Sequence, residues 1–136
     1  MTAGRALVTG AGKRLGREMA LALAERGHAV AVHYATSAAG AEDTVREIEA
    51  AGGRAVALSA DLLDEDQTAP LVDRAAAALG GPLTVLVNNA SIFEHDSIET
   101  ATRESWDRHI ESNLRAPVVL TQAFARQAPP AARDAG

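Results

Sequence analysis

The sequence predicts a doubly wound α/β fold, a parallel sheet of about four strands with helices on both faces, and three observations carry that prediction. Nearly continuous apolar runs alternate with stretches of helical periodicity. Glycines fall just past the ends of those stretches, and the first apolar run leads straight into a glycine-rich turn that opens a helix. At 136 residues, 47% hydrophobic and 23% charged, the chain suits one globular domain of ordinary size and is too apolar to be disordered.

The expected strands are Ala6 to Val8, Ala29 to Tyr34, Arg54 to Ser59 and Thr84 to Asn88. Each consists largely of small or branched apolar residues, as strands covered on both faces require. Between them, Leu15, Met19, Ala22, Leu23 and Arg26 are spaced as one face of a helix, and Ala41, Val45 and Ile48, then Val72, Ala75, Ala76 and Leu79, repeat that spacing. Gly27, Gly52-Gly53 and Gly80-Gly81 stand where a left-handed cap residue is favourable. Asp64 to Gln67 read as a capping-box start for the third helix. The order is β-α-β-α-β-α-β-α with right-handed crossovers.

The last helix is expected over Glu104 to Ala128, with an inward stripe of Trp106, Ile110, Asn113, Leu114 and Pro117. Pro117 has no N–H for the carbonyl of residue 113, an interior defect that costs about 3 kcal/mol. Asn113 is therefore expected to present a free main-chain carbonyl, a kind of strain that gathers at working sites.

Thr9-Gly10-Ala11-Gly12-Lys13-Arg14-Leu15-Gly16 holds the most chemistry. A strand that ends in glycine turns sharply and brings bare backbone close to an anion, while the next helix aims unpaired N–H groups and its positive dipole end at the same place. The usual dinucleotide fingerprint is G-x-G-x-x-G, and this loop is one residue longer before its last glycine. Its context is nevertheless the required one: a strand before, a helix after, and a second strand about 20 residues further on.

Other classes are disfavoured by composition. With no cysteine, and with His28, His33, His95 and His109 lacking ligand spacing, no metal site is expected. A net charge of -5 without a basic cluster argues against nucleic acid or an anionic membrane as a partner. The chain shows no signal peptide and no apolar run near 18 residues, so a cytoplasmic location is expected.

Three motifs together resemble the short-chain dehydrogenase/reductase family: Thr9-Gly10-x-x-x-Arg14-x-Gly16, Asn88-Asn89-Ala90-Ser91 after the fourth strand, and Asn113-Leu114-Arg115-Ala116-Pro117. The resemblance covers nearly the whole chain and implies a Rossmann fold. In that family the loop TGxxxGxG holds a pyrophosphate, and Arg14 here replaces the middle glycine. That variant, with His33-Tyr34 ending the second strand, is similar to the pteridine reductases. The resemblance implies that Gly10, Leu15 and Gly16 hold the cofactor, that Asp61 and Leu62 contact adenine, and that Asn88, Asn89 and Ala90 pack against the adenosine ribose. It places Ser91 near both cofactor and substrate and makes Phe93 a platform for a flat heterocycle. The main-chain carbonyl of Asn113 would hold a water on the proton path.

Cofactor choice follows from charge. A site for NADH needs a carboxylate at the end of the second strand to accept from the ribose 2'-OH, and none stands at His33, Tyr34, Ala35, Thr36 or Ser37. Lys13 and Arg14 supply charge, Thr36 and Ser37 supply hydroxyls, and His33 is expected to add a donor, so NADPH is expected over NADH.

The expected activity is therefore NADPH-dependent reduction of a carbonyl or pterin-like C=N substrate by hydride transfer. In the family a Tyr-x-x-x-Lys pair and a serine assist the proton transfer. Here Tyr34 and Lys13 are the single tyrosine and lysine, they do not stand in that relation, and no serine follows Ser112. The chain is accordingly expected to be the N-terminal part of one such domain over 1–128, with 129–136 a loop or disordered tail. In the strand order 3-2-1-4-5-6 a fifth strand would flank the fourth. The resemblance also implies a homo-tetramer or homo-dimer paired through the helix near Trp106, with a small molecule as substrate. A non-catalytic dinucleotide sensor is the alternative; a methyltransferase is disfavoured by the non-acidic end of the second strand.

Overall fold

The computed structural model describes residues 3–133. Its four strands are β1 (Gly4–Val8), β2 (His28–Tyr34), β3 (Ala55–Ser59) and β4 (Val85–Val87). They pair in parallel in the order β3-β2-β1-β4, so Val8 lies level with both Val32 and Val87. Two helices, α1 (Arg14–Glu25) and α2 (Ala38–Ala50), cover one face. The other face carries α4 (Leu71–Leu79), which follows a single turn α3 (Glu65–Thr68), and α6 (Ala116–Gln127), which follows α5 (Arg103–Ile110) and a π-helical turn.

Alternation along the strands sorts the core into two layers. Leu7, Ala29 and Ala31 pack with Leu71, Val72, Leu79 and Leu120, whereas Val8, Val30 and Val32 pack with Ala20, Ala41 and Ile48. Burial on both sides is why β1 and β2 read as unbroken apolar runs. The expected glycine caps are present, with Gly27, Gly52 and Gly80 all at positive φ.

Three expectations are corrected. Asp64 caps α3 by accepting from the Asp66 N–H at 3.0 Å, but Gln67 does not return to the Asp64 backbone. Its Oε1 accepts from the Asp61 N–H at 2.9 Å instead, and the helix breaks before α4 at Pro70, so no capping box forms.

The long last helix is divided. Glu111–Arg115 forms one π turn, in which the Ala116 N–H reaches back five residues to the Glu111 carbonyl. A wider turn is the standard way to relieve the clash of an interior proline ring with the carbonyl four residues earlier, which here belongs to Asn113. The buried face is Ser112, Ala116, Val119, Leu120 and Ala123, which continues the half-buried Ser105 and His109 of α5. The stripe read as inward is on the outside: Trp106 is 61% exposed, Leu114 57% and Ile110 38%, and Asn113 is exposed too. Finally, Pro130–Arg133 forms one helical turn, α7, where a loop was expected, and 134–136 lie outside the described residues.

Candidate functional site

A cleft of about 730 Å³ opens at the C-terminal ends of the strands, between the β1–α1 loop, the end of β2, the turn after β3 and the segment after β4. This is where open α/β sheets bind ligands. A second cavity, of about 550 Å³, lies at the opposite end of the sheet between α1 and α2 and has no helix N-terminus facing it.

The β1–α1 loop is built around two glycines. Gly10 has φ +62, in the left-handed region, and a Cβ there would press on Ala90 at 3.1 Å. At Gly16 a Cβ would sit 2.2 Å from the Gly10 carbonyl oxygen, so no larger residue fits without moving the turn. Arg14 also lies in the left-handed region, at φ +52, and is the one non-glycine there among the described residues. It occupies the place of a glycine and carries the strain of its Cβ.

Buried polar groups hold the loop from three sides. The Thr9 hydroxyl, 1% exposed, accepts from the Asn89 and Ala90 N–H groups, both at 2.9 Å. Asn89 Nδ2 donates to the Thr9 and Gly10 carbonyls at 3.0 and 3.2 Å. From α2, the buried Thr44 hydroxyl lies 3.1 Å from the Ala11 carbonyl oxygen, and Gly40 closes against Gly12.

His33 supplies the third side. Its Nδ1 accepts from the Gly10 N–H at 3.0 Å and its Nε2 donates to the Ala60 carbonyl at 2.9 Å, which fixes the tautomer. Burial pushes its pKa below the ordinary value; the bond to Ala60 opposes that shift and the charge of Arg74 reinforces it.

Beyond Gly10 and Ala11 the loop amides are free. Among the described residues no protein acceptor takes the N–H groups of Gly12, Lys13, Arg14, Leu15 or Gly16, and Lys13 does not cap α1 with its side chain. These donors gather at the positive end of a twelve-residue helix and face the cleft. The side chains of Lys13 and Arg14 are exposed and form no ion pair among the described residues, and the Thr36 and Ser37 hydroxyls form no hydrogen bond there. The arrangement fits an extended polyanionic ligand: backbone donors in the middle, two cations and two hydroxyls at one side.

Gly10, Lys13, Arg14, Leu15, Gly16, Tyr34, Thr36, Ser37, Asp61, Leu62, Ala90 and Ser91 all line this cleft. His33 and Asn89 also stand at its wall, with their side-chain nitrogens engaged by the protein itself. Both His33 nitrogens are spent on backbone groups, so His33 has no donor left for a phosphate, and the Asn89 amide is spent on the loop. Asp61 Oδ1 accepts from the Leu63 N–H at 2.9 Å, which makes it a turn residue that still borders the cleft.

In the segment after β4, Ser91, Phe93 and His95 are exposed and Ile92, Glu94 and Asp96 half-buried, in alternation. Phe93 is 84% exposed, which excludes core packing, and it stands outside the cleft lining. Asn113 also stands outside it, and its side chain is a clamp: Oδ1 accepts from the Ile92 N–H and Nδ2 donates to the Ile92 carbonyl, both at 2.9 Å. His109 Nε2 accepts from the Glu94 N–H at 3.0 Å, and Arg108 Nε donates to the Glu94 carboxylate at 2.6 Å.

Sequence reasoning missed Thr44, Arg108 and Ser112. Thr44 interrupts the Ala41–Ile48 stripe, which is the signal of a buried hydroxyl with a main-chain partner. Arg108 and Ser112 reach the cleft wall only because of where α5 and the π turn sit, and no local pattern marks them.

Comparison with known proteins agrees with this geometry. The family model described as short chain dehydrogenase matches residues 4–136. An uncharacterized oxidoreductase of Methylorubrum extorquens is 44% identical over 121 residues, covering 89% of this chain and 48% of that protein. Among solved structures, a short chain dehydrogenase from Burkholderia cenocepacia in complex with NADP aligns with a TM-score of 0.89 at 42% identity, covering 93% of this chain and 51% of the other. The alternative dihydrofolate reductase 1 of Brucella canis, complexed with NADP, aligns at 0.88 and 33%, covering 96% and 51%. The chain spans about half the length of each.

Proposed function

Because this chain belongs to the short chain dehydrogenases, we propose that it forms the dinucleotide-holding part of an NADPH-dependent reductase acting on a carbonyl or pterin-like C=N substrate. The observation that carries the reading is the row of free amides from Gly12 to Gly16 at the start of α1, facing a cleft of the right size. NADPH supplies the hydride when bound; the chain's own residues bind and orient it. Residues 1–128 are the N-terminal part of a single dinucleotide-binding domain in this reading, in the cytoplasm; among the described residues no helix is long and apolar enough to cross a membrane.

Division of labour along the cleft follows from the donors. The Gly12–Gly16 amides take the pyrophosphate, with Gly10 shaping the turn, and Lys13, Arg14, Thr36 and Ser37 take the 2'-phosphate, beside Tyr34. Asp61 and Leu62 border the adenine, and Ala90 and Ser91 border the ribose and nicotinamide side. Ser91 and Phe93 are both exposed on the segment after β4, where Phe93 offers its ring to a flat substrate. Pro117 leaves the Asn113 carbonyl without an α-helical partner and the Ser112 carbonyl without a π-helical one, so a water held there is available to a proton path. The exposed row Trp106, Ile110, Leu114 and Val118 is the surface on which a second copy pairs.

Dissociation constants measured on the full chain test the reading. NADPH is expected to bind at least tenfold more tightly than NADH, since a phosphate paired with Lys13 and Arg14 contributes on the order of 1.4 kcal/mol or more. Equal affinity, or tighter NADH, overturns it.

A further inference from the structure

His33 was expected to hold the cofactor by its own N–H, and its geometry assigns it a different task. One nitrogen holds the Gly10 amide, where the phosphate-binding turn begins; the other holds the Ala60 carbonyl, one residue before the Asp61–Leu62 turn. The imidazole is 1% exposed and lies beneath the cleft. We propose that His33 is a positioning residue for the dinucleotide: as a neutral imidazole protonated at Nε2, it ties the pyrophosphate turn to the adenine turn and sets the distance between them. The inference rests on the dinucleotide reading above and deepens it.

The chemistry of the two bonds sets the requirement. Gly10 offers a donor and Ala60 an acceptor, so the ring must accept at one nitrogen and donate at the other. An imidazolium donates at both, and its Nδ1–H would oppose the Gly10 N–H. Among the described residues the charged group acting on the ring is Arg74 of α4, whose Nη1 donates to the Ser59 carbonyl at 2.8 Å and whose charge also disfavours the imidazolium. Burial acts in the same direction and more strongly. The folded, locked form therefore binds fewer protons than the open form. The lock is complete above the ordinary histidine range near pH 6.5 and is lost as pH falls through it toward the lowered folded value.

A His33 that acts through the loop touches no 2'-phosphate, so its loss should cost NADP+ and NAD+ alike. Replacing His33 by Phe in the full chain is expected to weaken both about tenfold by calorimetry, with His33→Gln, which keeps one acceptor and one donor, recovering most of the loss. NAD+ has no 2'-phosphate to titrate, so the wild-type affinity for it should fall below the histidine range while the Phe variant stays flat. A loss confined to NADP+ overturns the proposal in favour of direct contact; a folded Phe variant with unchanged affinities, or with the wild-type pH profile, overturns it outright. If the Phe variant does not fold, a wild-type NAD+ affinity that is flat from pH 8 to 5 does the same. Wild-type protein that binds neither nucleotide contradicts the dinucleotide reading itself, which sets that failure apart.

Discussion

The two walls of the cleft are both held by side-chain hydrogen bonds to the backbone, in very different surroundings. On the β1–α1 side the bonds converge on Thr9, His33 and Thr44, none more than 1% exposed. Opposite, the segment after β4 is held by Asn113, His109 and Arg108, in bonds that water largely reaches. A broken bond on the first side leaves a polar group buried and unpaired, at about 1–3 kcal/mol each, whereas water replaces a broken bond on the second at little cost. The first wall is therefore a fixed template, and the second is a surface that a small change in free energy displaces.

The sharpest break of that comparison is Gly16→Val. Its Cβ would meet the Gly10 carbonyl, so the turn must open, and NADP+ affinity is expected to fall about a hundredfold by fluorescence titration. An affinity within threefold of wild type would mean that the loop is not the rigid template described.

Next come two substitutions that remove comparable bonds from opposite walls. Thr9→Val keeps the shape but strips the acceptor from the Asn89 and Ala90 amides, and should cost about 2–4 kcal/mol in denaturant unfolding. Asn113→Ala removes the two bonds to Ile92 and should cost about 1 kcal/mol or less, with faster amide exchange confined to Ile92 and its neighbours. Equal costs would erase the distinction between the walls.

Much of the first wall was legible in the sequence, and the reason is local. Gly10 and Gly16 are required by backbone geometry, and the apolar runs of β1 and β2 by burial on both faces. His33 was legible in position but not in role. Alternation from Ala29 and Ala31 turns it toward the layer of α4 and α6, and following that parity would have shown a buried ring that needs two partners. On the second wall the 3.6-residue period misled twice. Periodicity names an apolar face without saying what covers it, so Trp106 and Leu114 were read as core while they stand exposed. The stripe was also out of phase by one residue: Ser112, Ala116, Val119 and Ala123 keep the helical spacing, so burial falls on Ser112 and not on Asn113.

Arg14 is the one strained residue on the fixed wall, and it yields the smallest expected effect, with opposite signs for stability and binding. A side chain at φ +52 costs about 1–2 kcal/mol relative to glycine, against the 0.5–1 kcal/mol by which glycine's greater freedom favours the unfolded chain. Arg14→Gly should thus stabilise the free protein by about 0.5 kcal/mol, visible as a small rise in unfolding midpoint, while Arg14→Ala, which keeps the Cβ, should give no gain. Both variants lose the guanidinium, so both should bind NADP+ more weakly and NAD+ almost unchanged, narrowing the preference between the two nucleotides. That pairing separates strain from charge at a single position. If Ala stabilises as much as Gly, the backbone at Arg14 is relaxed; if NADP+ and NAD+ weaken together, the residue shapes the loop and does not reach the 2'-phosphate.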